Sequence, residues 1–388
     1  MTVRIGLEAL LTDRTELVAG RRVGLVASAS SVDAALVSSV ERLRQHRAVN
    51  LRALFGPEHG LRGDAQAGEH VSAYTDRLTG LPVYSLYGET RKPTPEMLAG
   101  LDALLFDLQD GGVRFYTYLA TLAYTMQAAA ENGLPLIVLD RPAPLNGVTV
   151  EGPTLDPRFA SFVGPYPIPL RYGLTAGEIA RLFNAVFNIN CDLTVVPLDG
   201  WRRGMWFDDT GLLFVPPSPN LPTLDSLTVY PGTCLVEGTT LSEGRGTTRP
   251  FEYIGAPWVN GEALAGALNA LNLPGVRFRP VYFVPTFSKH AGQVCAGVHL
   301  CVTDRSAFRP VETALHLLAQ VKQAHPAHFA WREPWTPGGH YPIDLLSGGD
   351  QVRLRLDAGS PVAELVDTWK EGVEAFKQLR AAYLLYPA

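Results

Sequence analysis

Four short apolar runs early in the chain constrain its fold most strongly. They span residues 22–28, 50–56, 102–109 and 134–140. Uninterrupted apolar runs of this length are typical of strands that a parallel sheet buries on both faces. Between the last two runs, residues 116–131 carry apolar side chains at helical spacing, which predicts a crossover helix. The pattern therefore predicts an α/β fold with a Rossmann-like, doubly wound, mostly parallel sheet.

One more helix and strand follow in the same pattern before the sequence becomes rich in proline. Thr175 and Glu178 are spaced as a capping box for a helix that ends near Phe187, and residues 192–198 follow as a strand. Four prolines within residues 215–222 then exclude both a helix and a central strand. We therefore predict a Rossmann-like domain over residues 1–225 and a smaller α+β auxiliary domain over residues 226–388. The elements predicted for the second domain are strands at 276–284 and 296–302 and helices at about 261–271, 309–324 and 361–383.

Composition and charge limit the classes of partner. The net charge is −5 and there is no block of Lys and Arg, so a surface that tracks nucleic-acid phosphates is not expected. No segment has the roughly 18 apolar residues of a membrane span, and the first residues lack the order of a signal peptide. Four cysteines without C-x-x-C spacing are typical of a reducing compartment. We expect a cytoplasmic protein with neither nucleic acid nor membrane as a partner.

Chemically rich side chains follow the carboxyl ends of the predicted strands. Open parallel sheets bind ligands at that edge. The loop at residues 55–71 is the densest, with more titratable groups than a connecting turn requires. Each residue taken alone could instead cap a helix or satisfy loop backbone. In strand order, the clusters are Ser28; Glu58 and His59; Gln109 and Asp110; and Asp140 and Arg141.

The carboxylates favour acid/base chemistry without a cofactor. The first turn, residues 27–33, has no G-x-G-x-x-G, and no P-loop occurs, so the fold carries no nucleotide signature. Metal hydrolysis is an alternative, but the histidines and acids of residues 55–71 lack H-E-x-x-H or comparable ligand spacing. Glycoside hydrolysis is the reaction class that requires two carboxylates. We therefore predict no cofactor and no metal.

Seven segments together resemble a known family. They lie at residues 57–60 (Pro-Glu-His-Gly), 85–88, 106–118, 140–142, 151–153, 217–220 and 237–247. In this order they resemble the NamZ-type exo-β-N-acetylmuramidases, glycoside hydrolase family 171. The resemblance implies a Rossmann-like domain and a smaller domain that forms one wall of the active-site cleft. It also implies release of terminal N-acetylmuramic acid (MurNAc) from the non-reducing end of peptidoglycan fragments, notably MurNAc-β-1,4-GlcNAc, in cell-wall turnover and recycling.

Roles for four residues follow from the motifs and the strand ends. Glu58 is the first choice for general acid/base because it lies in the Pro-Glu-His-Gly motif at a strand end. His59 could orient Glu58 or bind a sugar hydroxyl. Asp110 and Glu243 are the alternatives for the second carboxylate, which would give retention as a nucleophile or as a polariser of the substrate acetamide, and inversion as a base that activates water.

Several further residues are candidates for substrate binding. The lactyl carboxylate of MurNAc calls for a bidentate cation, for which Arg114 and Arg245 are the first choices and Arg62 and Arg141 the next. Tyrosines could stack on a pyranose face, with Tyr87 and Tyr116 preferred over Tyr118. The other candidates are Ser28, Gln109, Asn220 and Glu237.

Two alternative functions remain beside the muramidase. The first is an exo-hydrolase of a related 2-acetamido sugar, which would have no use for the arginines. The second is a non-catalytic, cleft-type muropeptide or sugar-binding protein, which needs aromatics and amides more than loop carboxylates. The excess of carboxylates favours an enzyme. Homodimerisation is a further expectation.

Overall fold

The described chain divides into two compact units that are not contiguous in sequence. The structure is a computed structural model that describes residues 2–66, 68–334 and 336–388. Unit 1 comprises the described residues of Met1–Thr149, Tyr172–Pro219 and Gln378–Ala388, and unit 2 those of Val150–Arg171 and Asn220–Lys377. Each unit is therefore built from stretches that are separated along the chain, and the local sequence pattern does not indicate where the chain passes from one unit to the other. The predicted single boundary after residue 225 stays a prediction.

Both units contain strands and α-helices. The strands are β1 (Arg22–Ala27), β2 (Asn50–Gly56), β3 (Tyr74–Thr75), β4 (Pro82–Ser85), β5 (Ala103–Asp107), β6 (Leu136–Leu139), β7 (Glu151–Thr154), β8 (Pro169–Arg171), β9 (Leu193–Val196), β10 (Tyr253–Ala256), β11 (Val276–Phe283) and β12 (Cys295–Val302). The α-helices are α1 (Gly6–Asp13), α2 (Ser39–Gln45), α3 (Pro95–Leu98), α4 (Thr117–Glu131), α5 (Ala176–Val186), α6 (Leu224–Thr233), α7 (Gly261–Ala270), α8 (Pro310–Ala324), α9 (Pro342–Ser347), α10 (Gln351–Asp357), α11 (Val362–Asp367) and α12 (Lys370–Arg380).

Unit 1 is built on a mostly parallel sheet, which confirms the predicted fold class. The strand order is β3-β4-β2-β1-β5-β6-β9, and β3 alone among these strands is antiparallel to its neighbour. β1 and β5 consist almost wholly of buried apolar residues, as continuous apolar runs predict. Strand order reverses direction at β1, since β2 lies on one side of it and β5 on the other. Ligand sites of such sheets lie at this switch point, beyond the carboxyl ends of the strands.

Helix α5 of unit 1 begins at the cap that the sequence predicts. Thr175 and Glu178 form the predicted capping box of α5, with the Thr175 hydroxyl accepting from the Glu178 N–H at 3.2 Å. α4 is buried over most of its length because its apolar residues cover more than one face. Its first turn, Thr117 and Tyr118, therefore sits against the sheet edge that carries the candidate site.

Unit 2 combines a small antiparallel sheet with helices, as predicted. Its sheet has the order β10-β12-β11, and β7 and β8 form a separate antiparallel pair. The helix predicted over residues 361–383 is wrong as a single element, because it is divided into α11 and α12. At the division the Thr368 hydroxyl donates to the Leu365 carbonyl at 2.6 Å, and Trp369 is buried. Local hydrogen bonding and burial of Trp369 thus interrupt a helical pattern.

A buried carboxyl group couples the folding of unit 2 to pH. Glu151 lies on β7, and its Oε1 accepts from the N–H groups of Val311 (2.9 Å) and Glu312 (3.2 Å) in the first turn of α8. Burial raises the pKa of Glu151 to about 7, although the charge of Arg171 on β8 acts to lower it. The folded state therefore binds a proton on Glu151 more tightly than the unfolded state.

We expect Glu151→Gln to flatten the pH dependence of stability. The pKa of Glu151 is about 7 in the folded state, and its reference value of 4.5 stands for the unfolded state. The protonated carboxyl group therefore contributes its full amount to the free energy of unfolding below pH 4.5. Its contribution is lost as the pH rises through about 7. The difference corresponds to about 3 kcal/mol. Free energies of unfolding from urea titrations at about pH 5 and about pH 8 should show this fall in the wild type and in the exposed control Glu364→Gln. An equal fall in Glu151→Gln would contradict the assignment.

Candidate active site

Glu58 is held by donors from two parts of unit 1. It lies just beyond β2 and is 8% exposed. Its Oε2 accepts from the Thr117 hydroxyl at 2.6 Å, and its Oε1 accepts from the Gly68 N–H at 3.0 Å. Thr117 is the first residue of α4, whereas Gly68 belongs to the same loop as Glu58. The carboxyl group is thereby fixed in one orientation at the carboxyl edge of the sheet.

Two tyrosines, Tyr87 and Tyr118, lie near this carboxyl group. Burial and then the negative charge of Glu58 raise the pKa of Tyr87, whose hydroxyl also forms a hydrogen bond with Glu58. Burial raises the pKa of Tyr118 as well, with the Glu58 charge adding to it and a hydrogen bond with Ser28 opposing it. The rings of Tyr116 and Tyr118 meet edge to face at 4.8 Å. The structure therefore brings Tyr87 and Tyr118 close to Glu58, with Ser28 and Tyr116 in contact with Tyr118. Of these residues, Ser28 and Glu58 are the ones that the strand ends predict at this edge.

His59 is anchored within its own loop. Its side chain is 3% exposed, and Nδ1 lies 3.0 Å from the Ala65 carbonyl, to which a protonated Nδ1 donates. The ring also contacts the edge of Tyr118 at a centroid distance of 6.3 Å. These contacts hold the loop that carries Glu58 against α4. The proposed role of His59 in orienting Glu58 is compatible with this position and remains a prediction.

Asp110 combines one fixed oxygen with one that has no partner. Oδ2 accepts from the Gly112 N–H at 2.7 Å and from the Tyr172 hydroxyl. Oδ1 is buried and has no hydrogen-bond partner within residues 2–66, 68–334 and 336–388. Burial raises the pKa of Asp110 to about 6, against the lowering effect of these donors. An oriented carboxyl group that titrates near neutrality is suited to proton transfer or to nucleophilic attack.

Asp140, beyond the neighbouring strand, is by contrast fully satisfied. Oδ1 accepts from the N–H groups of Arg141 (3.0 Å) and Gly177 (2.7 Å). Oδ2 accepts from the hydroxyls of Thr175, at 2.7 Å, and Tyr386. Asp140 therefore connects the end of β6 to the start of α5 through hydrogen bonds, and its role is structural.

Arg141 forms a buried, bidentate ion pair. Its Nε and one terminal nitrogen contact the two carboxylate oxygens of Asp107 at 2.6 and 3.0 Å, and the Val32 carbonyl accepts a further bond at 3.0 Å. The side chains of Arg141 and Asp107 are 6% and 0% exposed. All of these contacts are made inside the protein. Its predicted part in lactyl binding stays a prediction, with the ion pair as a competing structural role.

Three other candidates of unit 1 also have internal contacts. Arg62 pairs with Asp76 at 2.6 Å, and the amide of Gln109 donates to the carbonyls of Asp110 (3.1 Å) and Pro142 (3.0 Å). Arg114 is fully buried, which lowers its pKa to about 9. Gln109 therefore braces the loop that carries Asp110.

The candidates of unit 2 form a network of two acids and two cations. Arg245 contacts Glu237 at 2.7 Å and Glu243 at 3.4 Å, and Lys289 contacts Glu243 at 2.8 Å. Burial acts to raise the pKa of Glu243, but the charges of Lys289 and Arg245 hold it below its ordinary value. Glu243 is therefore ionised and neutralised from both sides. Asn220, the remaining candidate of unit 2, is buried at 4% exposure.

Residues missed in the sequence include Thr117 and Lys289. The segment Phe115-Tyr-Thr-Tyr118 begins six residues after the end of the predicted third strand, so a hydroxyl in the first helical turn could have been placed near Glu58. Lys289 carries no such local signal, because only the tertiary fold brings it to Glu243.

Within residues 2–66, 68–334 and 336–388, no group of three or more His, Cys, Asp or Glu side chains is arranged to hold a metal ion. No helix of that part of the chain has the length and apolar character to cross a membrane.

Comparison with known proteins accounts for almost the whole chain. The family model described as exo-beta-N-acetylmuramidase NamZ, N-terminal, matches residues 23–225, and its C-terminal counterpart matches residues 228–386. The chain belongs to the NamZ exo-β-N-acetylmuramidase family. The family predicted from seven short segments is thereby confirmed.

Individual relatives agree with this assignment. The peptidoglycan beta-N-acetylmuramidase NamZ of Bacillus subtilis (strain 168) is 50% identical over 384 residues, which are 99% of this chain and 91% of the relative. Two crystal structures of DUF1343 family proteins from Bacteroides fragilis are also similar. The first has a TM-score of 0.91 at 38% identity and covers 99% of both chains. The second has a TM-score of 0.77 at 30% identity, with 100% of this chain and 99% of the other covered.

Proposed function

We propose that this chain is a glycoside hydrolase, a peptidoglycan β-N-acetylmuramidase that removes terminal MurNAc from the non-reducing end of peptidoglycan fragments. Membership of the NamZ family and the full-length relative at 50% identity support the activity. One observation carries the proposal at the level of the site, namely the carboxyl group of Glu58 fixed by Thr117 and Gly68 at the switch-point edge of the sheet. The proposed substrates include the disaccharide MurNAc-β-1,4-GlcNAc.

Glu58 is proposed as the general acid/base. In the first step its carboxyl group gives a proton to the glycosidic oxygen as the bond to the anomeric carbon breaks, and GlcNAc leaves with that proton. Thr117 and Gly68 orient the carboxyl group, and Tyr87 adds a third donor beside it. A group held in this way loses little orientational freedom on the path to the transition state.

Asp110 is proposed as the second carboxylate, in preference to Glu243. Among the residues that the structure describes (2–66, 68–334 and 336–388), its Oδ1 has no hydrogen-bond partner. Its Oδ2 accepts from the Gly112 N–H and is held in place. Glu243 is already neutralised by Arg245 and Lys289, and this pairing makes it a poor nucleophile or base. If Asp110 attacks the anomeric carbon the product keeps its configuration, and if Asp110 activates water the configuration inverts. NMR of the first-formed MurNAc anomer distinguishes the two courses.

The arginines are proposed to supply the charge that recognises the lactyl carboxylate. Arg245 supports this role, because its side chain is 15% exposed, whereas Arg114 is fully buried. Arg114 remains the second candidate. That unit 2 forms one wall of the cleft, that the protein forms a homodimer and that it acts in cytoplasmic cell-wall recycling all stay predictions.

The activity is tested with matched chromogenic substrates. Wild-type protein should release the chromophore from a β-MurNAc glycoside much faster than from the β-GlcNAc glycoside, with and without chelator. From a longer glycan with MurNAc at the non-reducing end, it should release that MurNAc alone. Equal rates on both glycosides would favour a broader 2-acetamido sugar hydrolase, and binding without release would favour a sugar-binding protein.

A further inference from the structure

Two aspartates at adjacent strand ends, the buried Asp140 and the partly buried Asp110, each accept a hydrogen bond from a tyrosine. Tyr172 donates to Oδ2 of Asp110, and Tyr386 donates to Oδ2 of Asp140. Burial raises the pKa of both aspartates to about 6. The pairs differ in the second oxygen, since Oδ1 of Asp140 accepts two N–H bonds and Oδ1 of Asp110 accepts none within residues 2–66, 68–334 and 336–388. Only the first pair therefore leaves an oriented oxygen for other chemistry.

Tyr172 is itself held rigidly by the C-terminal segment of unit 1. Its side chain is 1% exposed. The Arg380 guanidinium donates to the carbonyls of Tyr172 (2.8 Å), Gly173 (2.6 Å) and Val148 (2.9 Å). Gly173 has φ +59°, and a Cβ there would lie 2.6 Å from the Arg380 guanidinium, so a side chain would displace this contact. A continuous set of contacts thus runs from Arg380 through Tyr172 to Asp110.

We propose that Tyr172 is a positioning residue of the hydrolase, which holds Oδ2 of Asp110 so that Oδ1 acts on the substrate, and that Arg380 fixes Tyr172 in turn. The inference rests on the proposed function and on the role proposed there for Asp110. Tyr172 touches no reacting atom in this scheme. It sets the orientation and the protonation of the group that does.

Loss of the Tyr172 hydroxyl should change the titration of Asp110. The groups that act on the Asp110 carboxyl are the Tyr172 hydroxyl and the N–H groups of Gly111 and Gly112. A hydrogen bond donated to a carboxylate favours the ionised form, and its removal favours the protonated form. Tyr172→Phe should therefore raise the pKa of Asp110 above about 6.

The experiment compares Tyr172→Phe with the matched control Tyr386→Phe. Full pH profiles of kcat/KM on the β-MurNAc glycoside should show one limb near pH 6 in the wild type, moved upward by about one pH unit in Tyr172→Phe. The limb in Tyr386→Phe should not move, because Asp140 takes no part in the reaction. Titration of ¹³C-labelled aspartate by NMR, assigned with Asp110→Asn, gives the same shift without reference to activity. Arg380→Lys, which keeps the charge but loses the three-carbonyl geometry, should give a smaller upward shift and serves if Tyr172→Phe does not fold.

The possible outcomes separate the positioning role from the proposed function. A wild type that hydrolyses the β-MurNAc glycoside, with an upward shift in Tyr172→Phe alone, supports the positioning role. An unshifted limb and an unshifted Asp110 resonance in both Tyr172→Phe and Arg380→Lys would overturn it. Full activity in Asp110→Asn would remove the basis of the positioning role while leaving the muramidase activity intact. An inactive wild type would instead overturn the proposed function, and the positioning role with it.

Discussion

Glu58→Gln is expected to lower kcat/KM on a β-MurNAc glycoside by about 10²–10⁴-fold, the range that a positioned general acid or base contributes. Glutamine has nearly the same size; its carbonyl oxygen can accept from the Gly68 N–H while its NH2 group donates to the Thr117 hydroxyl, so the loop should keep its conformation. It cannot transfer a proton. The measurement is steady-state kinetics on purified variants with matched thermal unfolding curves.

The matched control for this prediction lies in the same loop. Glu69 is exposed and accepts from the Gln66 N–H at 2.8 Å, whereas the carboxyl group that accepts from Thr117 is that of Glu58. Glu69→Gln should therefore retain nearly full activity. If Glu58→Gln kept activity within a few-fold of the wild type, Glu58 would be a structural cap of α4 and not the acid/base.

Arg141→Gln is expected to lower the free energy of unfolding by about 3–5 kcal/mol, the usual cost of removing one partner of a buried ion pair. The loss leaves the carboxylate of Asp107, which is 0% exposed, without its guanidinium. Urea titration followed by circular dichroism measures it. The exposed pair Arg22 and Asp102 offers the control, since Arg22→Gln removes a contact at the rim of the same sheet and should change stability far less.

The same variants distinguish stability from recognition. A substrate-binding Arg141 would instead give normal stability and a raised KM for MurNAc substrates relative to GlcNAc substrates. That result would support a role of Arg141 in binding the lactyl carboxylate of the substrate. Loss of stability with unchanged substrate preference would leave Arg245, Arg114 and Arg62 as the arginines for that role.

Much of the site could be predicted because its signals are local in sequence. Ser28, Glu58, Tyr87 and Asp110 each follow a strand of unit 1 within a few residues, and parallel strands bring their carboxyl ends to one edge. The hydrogen bond between Glu58 and Thr117 could be predicted in the same way, because the helix α4 starts shortly after strand β5 at the same edge of the sheet. The neutralisation of Glu243 by Lys289 could not be predicted, since an ion pair between distant segments leaves no periodicity or spacing to detect.

The sequence alone determined the α/β class, five strands of the unit 1 sheet (β1, β2, β5, β6 and β9), the capping of α5 and the family, because each depends on short-range pattern or on residue identity. It did not indicate β3 and β4. Tertiary structure decided the rest. It divided the predicted helix at Thr368 and Trp369 and assigned residues 150–171 and 378–388 to units that their local pattern does not indicate. It also separated Asp110 from Asp140, which follow adjacent strands of the sheet in the same way, since long-range donors satisfy every oxygen of one and a single oxygen of the other. Hydrogen-bond satisfaction and burial are properties of the packed chain, and they decide which carboxyl group remains available for chemistry.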